Sequence, residues 1–388
     1  MPSPPVDTAA DLPLSTSADL YLAHPTPAEC QKIWNSVYPS WGDSFTLPQF
    51  LAESAHLLTV PLAKDGGMTL WILVDKTLAP DNRPILASCE TFRKKSLLTS
   101  ARENVGVQDV VLHGIASVFC DTAYRGRGYA QRMMREMGEV LKMWQVGPGE
   151  RCVGSVLYSD IGKVYYAKLG WNPVGRNSHL EFPAKKRDDG EKSEIESVVL
   201  DKDLDELCAR DEVLVRQRLA ESGKNGLMVV PGEDNMRWHH GKENFICEKV
   251  FKKGCPSKGV LVGERDGKNR TWAIWTRRFY KGRESAGKEN TLYILRLVFE
   301  DQDPTKGDME KMRNALKIII RAAQAEADSW GLNTVKLWDP SPLVIELLQG
   351  MDVVHRLVER EQDAIASLMW HGDGDVPEWV ANEKYAWV

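Results

Sequence analysis

Apolar residues recur along this 388-residue chain with two periods, and the switches between them predict its elements. Asp19-Leu20-Tyr21-Leu22 reads as a short strand, and Pro27 to Val37 and Leu47 to Leu58 as helices. Met68 to Val74 and Ile85 to Phe92 read as strands, joined by turn chemistry at Asp81-Asn82-Arg83-Pro84. Val110 to Phe119 is a further strand. From about Gly128 the period becomes helical: Ala130, Met133, Met134, Met137, Leu141 and Trp144 share one face, and Gly147-Pro148-Gly149 ends it. Cys152 to Tyr158 is a buried strand, and Gly162 to Leu169 a short helix closed by Gly170. Strands first, then strand–helix–strand–helix, predict an α/β fold with an α+β mixed sheet.

The second half repeats part of this pattern. A helix is expected from Leu204 to Leu219, and a hairpin from Gly259 to Gly263 and Thr271 to Phe279 across the Asp266-Gly267 turn. Leu292 to Val298 reads as a strand. A long helix follows from Met309 to Trp330, with Met312, Leu316, Ile319, Ile320, Ala323 and Ala327 on one face and Gly331 as its cap. Thr334 to Trp338 is the next strand. The recurrence of strand, helix, strand predicts two related folds. A Pro/Ser/Thr-rich flexible segment is expected over 1–18 and a site-bearing domain over 19–183. A charged linker is expected over 184–194, and a second, degenerate domain over 195–388.

Composition narrows the function. The chain is 43% hydrophobic and 27% charged with a net charge of −5, which speaks against a generic nucleic-acid or anionic-membrane binder. No apolar run approaches the ~18 residues of a membrane span. The first 18 residues lack the basic and apolar parts of a leader, so the cytoplasm is the expected compartment. Seven cysteines without a C-x-x-C pair suggest free buried thiols rather than disulfides or zinc. Trp238-His239-His240, read as part of a strand, would point its histidines to opposite sides, and no third ligand follows, so no metal is expected. Oligomeric state is not legible.

The chemistry concentrates at Arg125-Gly126-Arg127-Gly128-Tyr129-Ala130, between a strand and a helix start. Glycines let the backbone approach a ligand and aim successive N–H groups at it. The helix N-terminus adds unsatisfied donors and a positive dipole end, and the arginines add charge. Together these describe a pyrophosphate site. It is neither a Walker loop, lacking G-K-[ST], nor a Rossmann loop, since Gln131 replaces the third glycine. The corresponding stretch of the second half, Glu300-Asp301-Gln302-Asp303-Pro304, is acidic and would repel phosphates.

Arg125-x-x-Gly128-x-Ala130 resembles the R/Q-x-x-G-x-G/A signature of the GCN5-related N-acetyltransferase superfamily. Tyr165-Tyr166-Ala167-Lys168-Leu169-Gly170-Trp171 resembles its downstream F-Y-x-K-L-G-F segment, with one strand between the two. Ser117-Val118-Phe119, Leu157-Tyr158-Ser159-Asp160-Ile161-Gly162-Lys163 and Asn382-Glu383-Lys384-Tyr385-Ala386-Trp387 are similar to the fungal L-lysine N6-acetyltransferase family of lysine-utilising yeasts. The resemblance implies acetyl-CoA as co-substrate and direct ternary-complex transfer to a small-molecule primary amine, with the N6 amine of free L-lysine first. Another amino acid, a polyamine, a secondary metabolite or a peptide stands as the alternative acceptor. A non-catalytic acyl-CoA-binding protein is the reading from another class.

The resemblance also implies roles. Val118, Phe119 and Cys120 would present backbone groups to the pantetheine arm. Arg125, Gly126, Arg127, Gly128, Tyr129 and Ala130 would hold the pyrophosphate, and Ser159 would contact the cofactor. Tyr166 would protonate the leaving thiolate; a phenol of pKa about 10 suits a thiol of about 8.5. The acceptor ammonium, near pKa 10.4, must lose a proton, and Glu90, His113 and Asp160 are candidate bases. Related protein myristoyltransferases use their terminal carboxylate, which adds Val388. The second domain is expected to wall off the acceptor site, and acidic residues to receive the acceptor's ammonium groups.

Overall fold

The computed structural model describes residues 12–100, 106–187, 196–280, 290–301 and 309–388. In its first sheet, β1 (Leu20–Ala23), β2 (Met68–Asp75), β3 (Ala87–Thr99) and β4 (Gln108–Phe119) are antiparallel neighbours. β5 (Cys152–Ser159) then joins β4 in parallel. A parallel pair needs a crossover, here α3 (Tyr129–Val140). Between β1 and β2 lie α1 (Pro27–Trp41) and α2 (Leu47–Leu57), each opened by a threonine capping box, Thr26 with Glu29 and Thr46 with Gln49.

β6 (Asn172–Pro173) ends the first unit, and β7 (Ser178–Pro183) leaves it to join the second sheet. That sheet also takes β8 (Glu196–Val199), β10 (Gly259–Val262), β11 (Thr271–Arg278), β12 (Thr291–Phe299), β13 (Thr334–Trp338) and β14 (Arg356–Glu359), in the order β14-β7-β13-β12-β11-β10-β8. β12 and β13 are parallel, with α6 (Met309–Ser329) as crossover. The strand–helix–strand recurrence of the sequence is therefore a repeated parallel unit. Before α6 come α4 (Leu204–Glu221) and α5 (Glu233–Lys249), and after β13 comes α7 (Pro342–Leu348).

Strands cross between the two halves. β9 (Gly226–Val229) pairs with β3, β15 (Ile365–Trp370) inserts between β5 and β6, and β16 (Glu378–Trp379) pairs with β9. Sheet membership thus does not follow the division at 183 and 195, and most of the expected linker lies outside the described residues.

Three local expectations are corrected. His239 and His240 sit on α5, not on a strand. Residues 162–169 form turns, with only Ala167–Leu169 as a 3-10 turn. Residues 13–17 are fastened rather than loose: the Tyr129 hydroxyl donates to Pro13 O at 2.6 Å, and Arg132 donates to Ser15 O at 3.0 Å.

The first sheet packs α3 on one face through Met133, Met134, Met137, Ile115, Leu157 and Tyr166. Its other face is covered by Leu57, Val60 and Leu62 from α2 and the segment after it, together with Trp238 of α5, all against Phe92.

Candidate active site

β4 and β5 pair from Val111↔Cys152 to Ile115↔Leu157 and then diverge. β4 continues to Phe119 and β5 to Ser159, so the β5-facing edge of residues 116–119 has no strand partner among the described residues. Residues 116–119 are half-buried, and unpaired backbone groups on such an edge favour a partner over bare contact with apolar neighbours. An extended ligand arm lying in the gap would supply one.

A bulge shapes this edge. Ser88 pairs with Phe119 but Glu90 pairs with Ala116, so one extra residue stands on β4. Ser117 takes it up with φ +53, a left-handed conformation unusual outside glycine. Its hydroxyl donates to Glu90 Oε2 at 2.8 Å, which fixes both side chains. Strand alternation puts Glu90 and Phe92 on one face of β3, and Phe92 packs with Ala116, Trp238 and Val388. Glu90 therefore faces away from α3. Burial raises its carboxyl above the ordinary value, while the Ser117 hydrogen bond and the Lys242 charge pull it down.

The other candidate bases stand elsewhere. His113 shares the α3-facing side of β4 with Ile115, is fully buried, and has Cys152 Sγ 3.5 Å from Nδ1. Burial lowers its pKa to about 4, so it is neutral. Asp160 Oδ1 accepts Ala364 N–H at 2.9 Å, tying the end of β5 to the start of β15. Val388 packs its side chain on the Glu90 face, 3.1 Å from where a Cβ on Gly114 would stand.

At the far end of the gap the loop takes the conformation its glycines allow. Gly126 has φ +77 with open space around it, and Gly128 has φ +84 as the N-cap of α3. Arg125 Nε donates to Cys120 O at 2.9 Å, and its guanidinium lies 5.6 Å from the Phe119 ring centre. Tyr129 is buried, and Ser15 Oγ lies 2.8 Å from where a Cβ on Gly128 would stand. These residues fit a diphosphate: left-handed glycines stand beside the first amides of a helix, in a loop that carries two arginines.

Tyr166 lies on the α3 face beside Ile115 and Leu157, 8% exposed, with its ring 5.0 Å from Tyr165 in an edge contact. Burial raises its hydroxyl well above the ordinary phenol value, with Tyr165, Cys89 and Asp160 adding to it, so it stays protonated. Burial raises the Tyr165 hydroxyl as well, with Cys120 adding to it. Ser159 is buried, and its hydroxyl closes a turn, donating to Gly162 O at 2.7 Å and accepting Ile161 N–H at 3.2 Å.

On the Glu90 side the structure brings together residues to which no role at the site was assigned from the sequence. A cavity is lined by His239, Lys242, Arg278, Tyr280, Tyr293 and Lys384, with Trp387 beside them. The two tyrosine hydroxyls lie 3.1 Å apart, and Arg278 pairs with Asp43. The expectation of acidic residues meets a largely cationic wall instead. Lys384 and Trp387 belong to the quoted 382–387 motif, but no local pattern joins them to the others; they meet because β11, α5 and the C-terminal segment converge.

The parallel pair with its α3 crossover, the splayed strands and the loop at the helix start together define a GCN5-related N-acetyltransferase. Residues 179–388 match the family described as the LYC1 GNAT-like C-terminal domain, and the chain belongs to that family. An uncharacterized protein of Saccharomyces cerevisiae, YGR111W, is 22% identical over 349 residues, covering 83% of this chain and 82% of that one. Saccharomyces cerevisiae N-myristoyltransferase with bound myristoyl-CoA matches with a TM-score of 0.53 at 11% identity, over 95% of this chain and 84% of that one. A conserved protein of unknown function from Enterococcus faecalis V583, described as a probable N-acyltransferase, matches with a TM-score of 0.52 at 12% identity, over 90% and 72%. At these identities the structural likeness is one of fold.

Proposed function

We propose that the chain transfers the acetyl group of acetyl-CoA directly to the amine of a small molecule, with the N6 amine of free L-lysine as the first acceptor to test. The observation that carries this reading is the β4–β5 gap, bounded at one end by the left-handed loop Gly126–Gly128 and flanked by Glu90 on one face and Tyr166 on the other.

Acetyl-CoA supplies the acyl group as a thioester. The backbone of Val118, Phe119 and Cys120 binds its arm along the free edge of β4, and residues Arg125 to Ala130 hold its phosphates. Ser159, whose hydroxyl is committed to its turn, contributes there through the backbone. The acceptor's ammonium first loses one proton to solvent, and Glu90 accepts the second from the attacking nitrogen; its raised pKa makes it a stronger base than an exposed carboxylate. As the C–N bond forms and the C–S bond breaks, Tyr166 gives its proton to the departing sulfur. Solvent then returns a proton to Tyr166 and takes one from Glu90.

The test is acetyl-CoA consumption with a panel of free amines, amino acids and peptides. L-lysine is expected to accelerate it, and Tyr166→Phe to lower kcat about a hundredfold at unchanged donor affinity. No acceleration by any amine would leave only donor binding, and an unchanged kcat would take Tyr166 out of the acid role.

A further inference from the structure

Lys384 is 5% exposed, yet its Nζ makes no hydrogen bond or ion pair among the described residues. It stands over three aromatic rings instead, 3.6 Å from the centre of Trp387, 4.3 Å from Trp338 and 4.9 Å from Tyr293. Burial first, then Arg278, Arg360 and Lys242, hold its pKa well below the ordinary lysine value, against one carboxylate, Asp160. Asp160 already accepts a backbone N–H, Arg278 already pairs with Asp43, and Arg360 lies 4.0 Å over Trp338 while donating to Ser178 O. Lys242 lies 5.8 Å from the Trp238 ring and makes no ion pair within 4 Å among the described residues. Aromatic faces soften the burial of a cation but do not replace an anion. The cavity thus gathers basic side chains around a Lys384 amine that no carboxylate of the described residues contacts. It also lies next to the reacting centre, since Lys242 acts on Glu90 and Trp387 precedes Val388 on the Glu90 face.

We propose that Lys384, Lys242 and Arg278 form a subsite for a carboxylate that the acceptor carries at the end away from its reacting amine. The inference rests on the reading of the first splay as an acetyl-transfer site. Lys384 takes up a proton from solvent as the carboxylate arrives and becomes its ammonium partner, Arg278 supplies the guanidinium N–H groups that Asp43 leaves free, and the Tyr280–Tyr293 pair supplies a neutral donor. A fully cationic acceptor such as a diamine meets the same groups as repulsion. The subsite therefore separates amines with an anionic end from polyamines.

The experiment is calorimetric titration of the full chain, saturated with CoA, with L-lysine and with its decarboxylated counterpart 1,5-diaminopentane. L-lysine is expected to bind about tenfold tighter or better, the weight of one charge-assisted contact. Lys384→Met is expected to collapse that ratio towards one, and Lys384→Arg to keep most of it. Lys242→Ala, on a half-buried side chain outside the core, is expected to lower the ratio about threefold without the folding burden of a buried change. A purely structural lysine would weaken both ligands alike and leave the ratio in place. Equal binding of the two amines, no binding of either, or a ratio untouched by both Lys384→Met and Lys242→Ala would overturn the subsite. Binding of L-lysine without acetyl transfer would instead overturn the acetyltransferase reading and leave the subsite standing.

Discussion

β4 separates from β5 beyond Ile115 and Leu157, and β12 separates from β13 beyond Ile294 and Leu337. The first gap is left open along residues 116–119 and ends on left-handed glycines. Into the second reaches Glu383, from the segment near the C-terminus. Its carboxylate accepts Leu297 N–H at 3.0 Å and pairs with Arg296, whose guanidinium also holds Asp211 at 2.7 and 2.9 Å. A cavity lined by Arg218, Phe299, Asp339 and Trp379 remains beside it. A splay exposes strand donors that must be satisfied. In one unit that demand suits a ligand, and in the other the chain's own carboxylate answers it at Leu297. The same segment continues to Lys384, Trp387 and Val388 at the first site, so filling the second splay also builds the acceptor wall of the first.

The comparison breaks most sharply at Arg296. It is buried, and burial of its guanidinium is outweighed by Asp211 and Glu383, which hold its pKa well above the ordinary value. Arg296→Met leaves Asp211 and Glu383 without the guanidinium that both contact. The expected loss is about 3–5 kcal/mol, the usual effect of removing one member of a buried ionic cluster. Urea denaturation measures it. A loss below about 1 kcal/mol would mean that the ionic filling is incidental to the fold.

How far this contrast was legible follows from the physics of each part. The amphipathic helices α3 and α6 and the strands β2, β12 and β13 were readable because their apolar residues repeat locally. The Gly126–Gly128 loop was readable because left-handed backbone next to a helix start demands glycine. The exchange of β7, β9 and β15 between sheets was not, because pairing partners more than a hundred residues apart leave no local period; β9 and β15 in particular are short apolar runs. Glu90 was named from its place on a strand, but the Ser117 bulge that orients it depends on β3–β4 register. Lys384 was quoted within a motif and given no role, since its meaning comes from Trp338 and Tyr293 of the second sheet.

The two helix-end glycines allow a second, milder test. Gly128 has φ +84 and Ser15 Oγ 2.8 Å from its would-be Cβ; Gly331, after α6, has φ +64 and nothing within 4 Å. An alanine at either costs about 1–2 kcal/mol of backbone strain. Only at position 128 does the strain fall on amides that the donor would use. Gly128→Ala is expected to raise the acetyl-CoA dissociation constant about tenfold, and Gly331→Ala to leave it within about twofold while lowering thermal stability. Equal effects on donor affinity would erase the functional difference between the two units.

The smallest effect is a dependence on pH confined to the filled splay. Burial raises Glu383 to about 7; Asp211 acts in the same direction, and Arg296 and the Leu297 N–H act against it. The folded protein therefore favours the protonated acid more than the unfolded chain does. Stability from this group is fully present below the unfolded value of 4.5 and is lost as pH rises through about 7. Glutamine stands in for the protonated acid. The melting temperature of the wild type, taken relative to Glu383→Gln, should therefore fall between pH 4.5 and about 7 and level off above. Glu90 is raised in the same direction but is present in both proteins and cancels in the difference. A difference that stays constant across this window would show that Arg296 holds Glu383 ionised throughout. The second splay would then be closed by a permanent ion pair rather than by a carboxylate whose charge the pH can remove.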